Sequence, residues 1–88
     1  MPTIFRKDGY RFFFFSDEHL PKHVHIEKGD SYVRIELKSL KVTDSYKISS
    51  KEISRLKKMT EENKEIFIGV WDEYFKQWDF DSKDYARW

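Results

Sequence analysis

The chain contains no cysteine. Disulfides, zinc ribbons, iron–sulfur clusters and thiol catalysis are therefore excluded, and the composition fits a reducing compartment, so a cytoplasmic location is expected. Long apolar runs are missing too. The longest, Phe12-Phe13-Phe14-Phe15, is far too short to span a bilayer, and no membrane role is expected. The start, Met1-Pro2-Thr3-Ile4-Phe5-Arg6, lacks the charged-then-apolar layout of a secretory leader. There is no internal repeat, no linker and no low-complexity segment. Net charge is almost absent, at +1.

What is present is dense in rings and charge. Phe, Tyr and Trp supply 18% of the 88 residues, and 38% are charged against 39% apolar, the balance of an ordered globular chain. Large rings bury much area per side chain, which a domain this small needs. The charge is unevenly spread. Residues 1–58 hold 13 Lys and Arg against 8 Asp and Glu, whereas residues 59–88 hold 4 against 8. A mildly basic front and an acidic back are compatible with a nucleic-acid-facing sheet, or with chance asymmetry on a solvated surface.

Asp8-Gly9 is a type I′ hairpin signal, because both positions of that turn need positive φ. Centred there, strands over Thr3–Lys7 and Tyr10–Ser16 place Ile4 opposite Phe13, Phe5 opposite Phe12 and Arg6 opposite Arg11. The two arginines would repel, so they either splay into water or receive an acidic group. Ser16 to Pro21 reads as a loop, with His19 inside it. The stretch His23-Val24-His25-Ile26-Glu27-Lys28 alternates with period two and is followed by Gly29-Asp30, the turn of a second hairpin. That centre pairs His23 with Glu36, Val24 with Ile35, His25 with Arg34, Ile26 with Val33 and Glu27 with Tyr32. One face is then wholly apolar and the other wholly polar, and a one-residue slip would scramble both.

A short edge strand fits residues 41–46. Ser49 with Glu52 three residues on is a capping box, flanked by Ile48 and Ile53 as a hydrophobic staple. The helical stripe that follows weakens at Thr60 and Asn63, and Thr60-Glu61-Glu62 resembles a fresh N-terminus, so a bend or break is expected near Met59–Thr60. Ile66, Phe67, Val70, Trp71, Tyr74, Phe75 and Trp78 are expected on one buried face. The expected fold class is α+β: an antiparallel sheet of two consecutive hairpins, with room for a fifth short strand, and one bent or two C-terminal helices on one face. Residues 1–78 form the domain, and residues 79–88 form a charged tail bearing Phe80, Tyr85 and Trp88.

The opening Met1-Pro2-Thr3-Ile4, the strand Gly9-Tyr10-Arg11-Phe12, Pro21 followed by His23-Val24-His25, and the later Glu62-Asn63 and Trp71 form a series. It resembles the short bacterial proteins grouped as the domain of unknown function family 4160, over roughly residues 1–75. Lys22 stands where the family commonly has the second proline of Pro-Pro-His-x-His. The resemblance implies no agreed chemistry. It implies a small-operon protein in a layout similar to a toxin–antitoxin pair, hence a partner-binding component.

The polar hairpin face is the candidate site. His23, His25, Glu27 and Arg34 could act as a metal-independent ribonuclease, two imidazoles moving protons and the guanidinium holding phosphate. His23 and His25 with Glu36 or Glu27 could instead hold a metal, although the His-x-His pattern alone is weak and no cofactor is expected. Arg6, Arg11, Tyr32 and Arg34 could contact a protein or RNA. The plainest reading is a solvated outer face whose cross-strand pairs tolerate each other. All of these functional readings rest on the imidazoles of His23 and His25 projecting together into an open groove while Val24 and Ile26 anchor the strand beneath. Phe12 and Phe14 align with Phe5, and Phe13 and Phe15 with Ile4; helices on one side only would leave one of these sets exposed, so a homodimer or a protein partner is expected to cover it, with the loop or the tail as the alternative cover.

Overall fold

The computed structural model of the chain describes residues 3–15 and 20–82, with side chains up to Phe75. His19, residues 83–88 with Tyr85 and Trp88, and the side chains of Trp78 and Phe80 lie outside the described residues. Five strands run in chain order through one antiparallel sheet: β1 (Thr3–Lys7), β2 (Tyr10–Phe13), β3 (His23–Lys28), β4 (Ser31–Glu36) and β5 (Val42–Tyr46). Two helices follow, α1 (Ser50–Glu62) and α2 (Lys64–Ser82). α2 thus continues past the expected domain boundary at residue 78.

The second hairpin adopts the pairing its alternation dictates, from His23 opposite Glu36 to Lys28 opposite Ser31. In the first hairpin Asp8 and Gly9 take φ of 53° and 83°, the left-handed pair of a type I′ turn. A Cβ on Gly9 would also meet the Lys28 side chain at 3.0 Å. Past Phe5 the expected register fails. Phe13 faces Thr3 rather than Ile4, because a bulge inserts one residue in β1.

One sheet face carries the core. Tyr10, Phe12, Phe14, Val24, Ile26, Val33 and Ile35 are buried beneath Leu56, Met59, Phe67, Trp71 and Phe75. Ring contacts lock the layers together: Phe67 lies tilted against Phe12 at 5.4 Å and edge-on to Phe5 at 5.5 Å, and Trp71 lies edge-on to Phe14 at 5.1 Å. Phe67, Trp71 and Phe75 recur every four residues, which defines the buried stripe of α2. Ile66 and Tyr74, expected in that stripe, are 62% and 39% exposed. Each lies one position from a buried neighbour, about 100° around the helix.

The capping box at Ser49 forms in both directions, with the Glu52 amide donating to Ser49 Oγ at 3.1 Å. The helix break comes at Asn63, not at Met59–Thr60. Thr60 is fully buried and its hydroxyl donates to the Leu56 carbonyl at 2.8 Å, so it belongs to the helix interior. Asn63 leaves helical geometry (φ −112°, ψ 14°) while its side-chain amide donates to the Met59 carbonyl at 2.9 Å. The Phe67 amide donates to the Asn63 carbonyl at 2.9 Å as α2 begins.

A hydrogen bond and a longer ion pair, Arg55 Nη2 to Asp8 Oδ2 at 3.6 Å, tie the first hairpin to α1. The Tyr10 hydroxyl donates to Glu52 Oε2 at 2.7 Å. Burial, reinforced by the carboxylate, raises the Tyr10 pKa above its usual 10.0. The bond from Tyr10, with those from Ser49, holds the Glu52 carboxyl below its usual 4.5. A raised folded pKa stabilises below the unfolded value and is lost as pH rises through the folded one; a lowered carboxyl pKa stabilises above the unfolded value and is lost as pH falls through the folded one. Urea midpoints should therefore fall above pH 10 and again in acid below pH 4.5. The Tyr10→Phe variant should lose the Tyr10 part of the alkaline decline and have a weaker acid one.

Candidate functional site on the outer sheet face

Residues paired across antiparallel strands project from the same face. On the face away from the helices the pairings build one continuous row of Arg6, Arg11, Glu27, Tyr32 and Tyr46. The next row is Thr3, Phe13, His25, Arg34 and Asp44. His23 and Glu36 form a third pair at the end of the hairpin.

In the first row, the clash expected between Arg6 and Arg11 is relieved by Glu27. The Arg11 guanidinium bonds Glu27 Oε2 through Nη2 at 2.7 Å and Nε at 2.9 Å. It donates to Thr3 Oγ1 at 3.0 Å through Nη1, and lies 4.2 Å over the Phe13 ring. Glu27 is thereby the counterion of Arg11. The four residues grouped by sequence for ribonuclease chemistry are divided by this pair, since Glu27 faces Arg11 while His23 and Arg34 lie toward the other end of the sheet.

The second row corrects the expectation of an open groove. His25 is only 2% exposed. Its ring is flanked by Phe13 at 5.3 Å, Phe15 at 4.4 Å, His23 at 5.0 Å and Tyr32 at 5.9 Å. Its Nδ1 lies 2.7 Å from the Tyr32 hydroxyl, which makes burial of a polar ring tolerable. The same stacking accounts for Phe13, which belongs to the aromatic set on the face opposite the helices and is 3% exposed between Arg11 and His25. Phe15 alone of that pair stays open, at 38%.

The two imidazoles do share a side of the strand, but His23 is placed differently. It opens β3, 5.3 Å from Trp71 of α2, and next to it Lys22 Nζ bonds Asp72 at 2.6 Å. His23 Nδ1 lies 2.8 Å from the Pro21 carbonyl. A carbonyl only accepts, so Nδ1 carries the proton and Nε2 is the basic atom of the neutral ring. His23, Arg34 and Glu36 line a recess of about 130 Å³ together with Leu20, Pro21 and Thr43. Arg34 is oriented by donating from Nε to Thr43 Oγ1 at 2.8 Å, and Glu36 Oε1 accepts from Ser39 Oγ at 2.8 Å. Thr43 was missed by sequence reasoning because the β4–β5 pairing carries a shift between Arg34 and Ile35 that no pattern announces. Among the described residues no three His, Asp or Glu side chains gather as a group that could hold a metal.

A family model matches residues 9–72, which takes in β2 to β5, α1 and the first half of α2. The chain belongs to the family called Domain of unknown function (DUF4160). No curated protein and no solved structure matches it. The DUF4160 span contains the whole His23-Val24-His25 strand and every residue of the recess. No helix among the described residues is long and apolar enough to cross a membrane.

The Arg11–Glu27 contact yields a test. Glu27→Gln should leave Arg11 facing Arg6 and lower stability by about 0.5–1 kcal/mol, the ordinary size for a partly exposed pair. Urea unfolding should show a larger loss at low ionic strength than at about 1 M salt, where charges are screened.

Proposed function

We propose that the protein is the partner-binding component of a toxin–antitoxin-like gene pair and that it meets an acidic protein partner through its outer sheet face. The observation that supports this is the cross-strand row from Arg6 to Tyr46. It spans all five strands on the side opposite the helices, and its two ends, Arg6 and Tyr46, are exposed. Tyr and Arg are the side chains that most often anchor interfaces. Lys47 Nζ lies 5.5 Å from the Tyr46 ring and adds positive charge at that end. The ribonuclease alternative has less to rest on, because His25 is enclosed and Glu27 is engaged by Arg11.

The test is coexpression with the product of the neighbouring gene, followed by calorimetry on the purified pair. A one-to-one complex is expected. The Arg6→Glu, Tyr46→Ala double variant should keep its circular dichroism and bind at least tenfold more weakly, about 1.4 kcal/mol or more. Undiminished binding by that variant, or failure of the two products to associate, overturns the proposal.

A further inference from the structure

We infer that the two adjoining recesses beside Pro21 bind a guanosine monophosphate unit, with the base beside Arg34 and Glu36 and the phosphate toward Lys38. The inference is independent of the partner surface. It starts from the mixed charge of the smaller recess. Arg34 would attract a bare anion, but Glu36 beside it would repel one. The ligand must therefore offer acceptors to one side chain and donors to the other.

Arg34 and Glu36 lie two residues apart on β4, so they share a face and their Cα atoms sit about 6.6 Å apart. Both are held by neighbours rather than by each other. Thr43 occupies Arg34 Nε and leaves the Nη edge of the guanidinium to meet a ligand, and Ser39 occupies Glu36 Oε1. Guanine carries two acceptors, O6 and N7, on one edge and two donors, N1–H and the 2-amino group, on the adjoining one. Arginine pairs with the first edge and a carboxylate with the second. Adenine puts an amino donor where the guanidinium needs an acceptor and has no N1–H for Glu36. Uracil offers Glu36 one donor flanked by two acceptors. Cytosine can serve both side chains only through a single edge. Leu20 and Pro21 supply an apolar wall for the ring face.

The larger recess, about 390 Å³, shares Leu20, Pro21 and Glu36 with the smaller one, so the two adjoin. It adds Lys22 and Lys38. Lys22 is engaged by Asp72, while Lys38 is exposed and gives a phosphate attached to the bound nucleoside a cation to meet.

The test titrates the full chain by NMR with GMP, AMP, CMP, UMP and inorganic phosphate. A second series uses single-stranded pentanucleotides with and without a central guanine. GMP should shift resonances of Arg34, Glu36 and Thr43 and bind at least about tenfold more tightly than AMP. Glu36→Gln, nearly isosteric, should lose the preference for guanine while remaining folded by circular dichroism. Arg34→Lys should weaken GMP at least tenfold. A guanine pentanucleotide that outcompetes GMP identifies the ligand as a strand, and the reverse identifies the free nucleotide. The Arg6→Glu, Tyr46→Ala variant should bind GMP normally, which separates this site from the partner face. Equal binding of the four nucleotides, phosphate binding as tight as GMP, or an unchanged preference in Glu36→Gln overturns the inference.

Discussion

The burial of Val24, Ile26, Val33 and Ile35 beneath the helices is the constraint on which the rest depends. Each such side chain is worth about 1.5–3 kcal/mol when fully removed from water. A one-residue slip of the hairpin would expose all four, a loss of about 6–12 kcal/mol, comparable with the entire stability of a small domain. No hydrogen bond on the outer face competes with that, since each is worth about 1 kcal/mol net. The inner face therefore sets the register, and the positions of His23, His25, Glu27, Arg34 and Glu36 follow from it.

Given that register, the outer face organises its polar groups by local satisfaction. Arg11 neutralises Glu27 and caps Phe13, Tyr32 bonds His25, and Pro21 fixes the proton on His23. On the face opposite the helices, Phe13 is thus held between Arg11 and His25, and His25 between Phe13 and Tyr32. The outcome is a graded surface. Its centre is sealed, its two ends present Arg6 and Tyr46, and the end near Pro21 opens into recesses.

Most of the fold was legible because two strong signals agree in this chain: period-two alternation and turn chemistry. Asp8-Gly9 and Gly29-Asp30 located both hairpins, and the apolar alternation of β3 and β4 pinned their pairing residue by residue. The bulge in β1 was not legible, since nothing in Thr3-Ile4-Phe5 distinguishes a regular strand from one with an extra residue. The helix break was displaced by three residues because Thr60 carries the composition of a cap but the environment of a core residue. Its hydroxyl finds a carbonyl within its own helix, and only packing reveals that. For the site, the shared side of His23 and His25 followed from spacing alone. Their burial did not, because it depends on rings from elsewhere in the fold: Phe13, Phe15 and Tyr32 around His25, and Trp71 beside His23. The partnership of Arg11 with Glu27 needed the β2–β3 register, which the intervening loop leaves undetermined in sequence.

The spatial order of the strands is also their order along the chain. Every pair of neighbours in the sheet is therefore joined by a single connection, and no strand waits for a distant segment to arrive. Loop-closure entropy grows with the length of chain enclosed, so such a meander pays little of it at each step. Topologies dominated by near-neighbour pairing cross the folding barrier quickly for their size. The β3–β4 hairpin, with a turn of only two residues and an inner face of Val24, Ile26, Val33 and Ile35, is suited to pair early, so that the outer strands zip onto it.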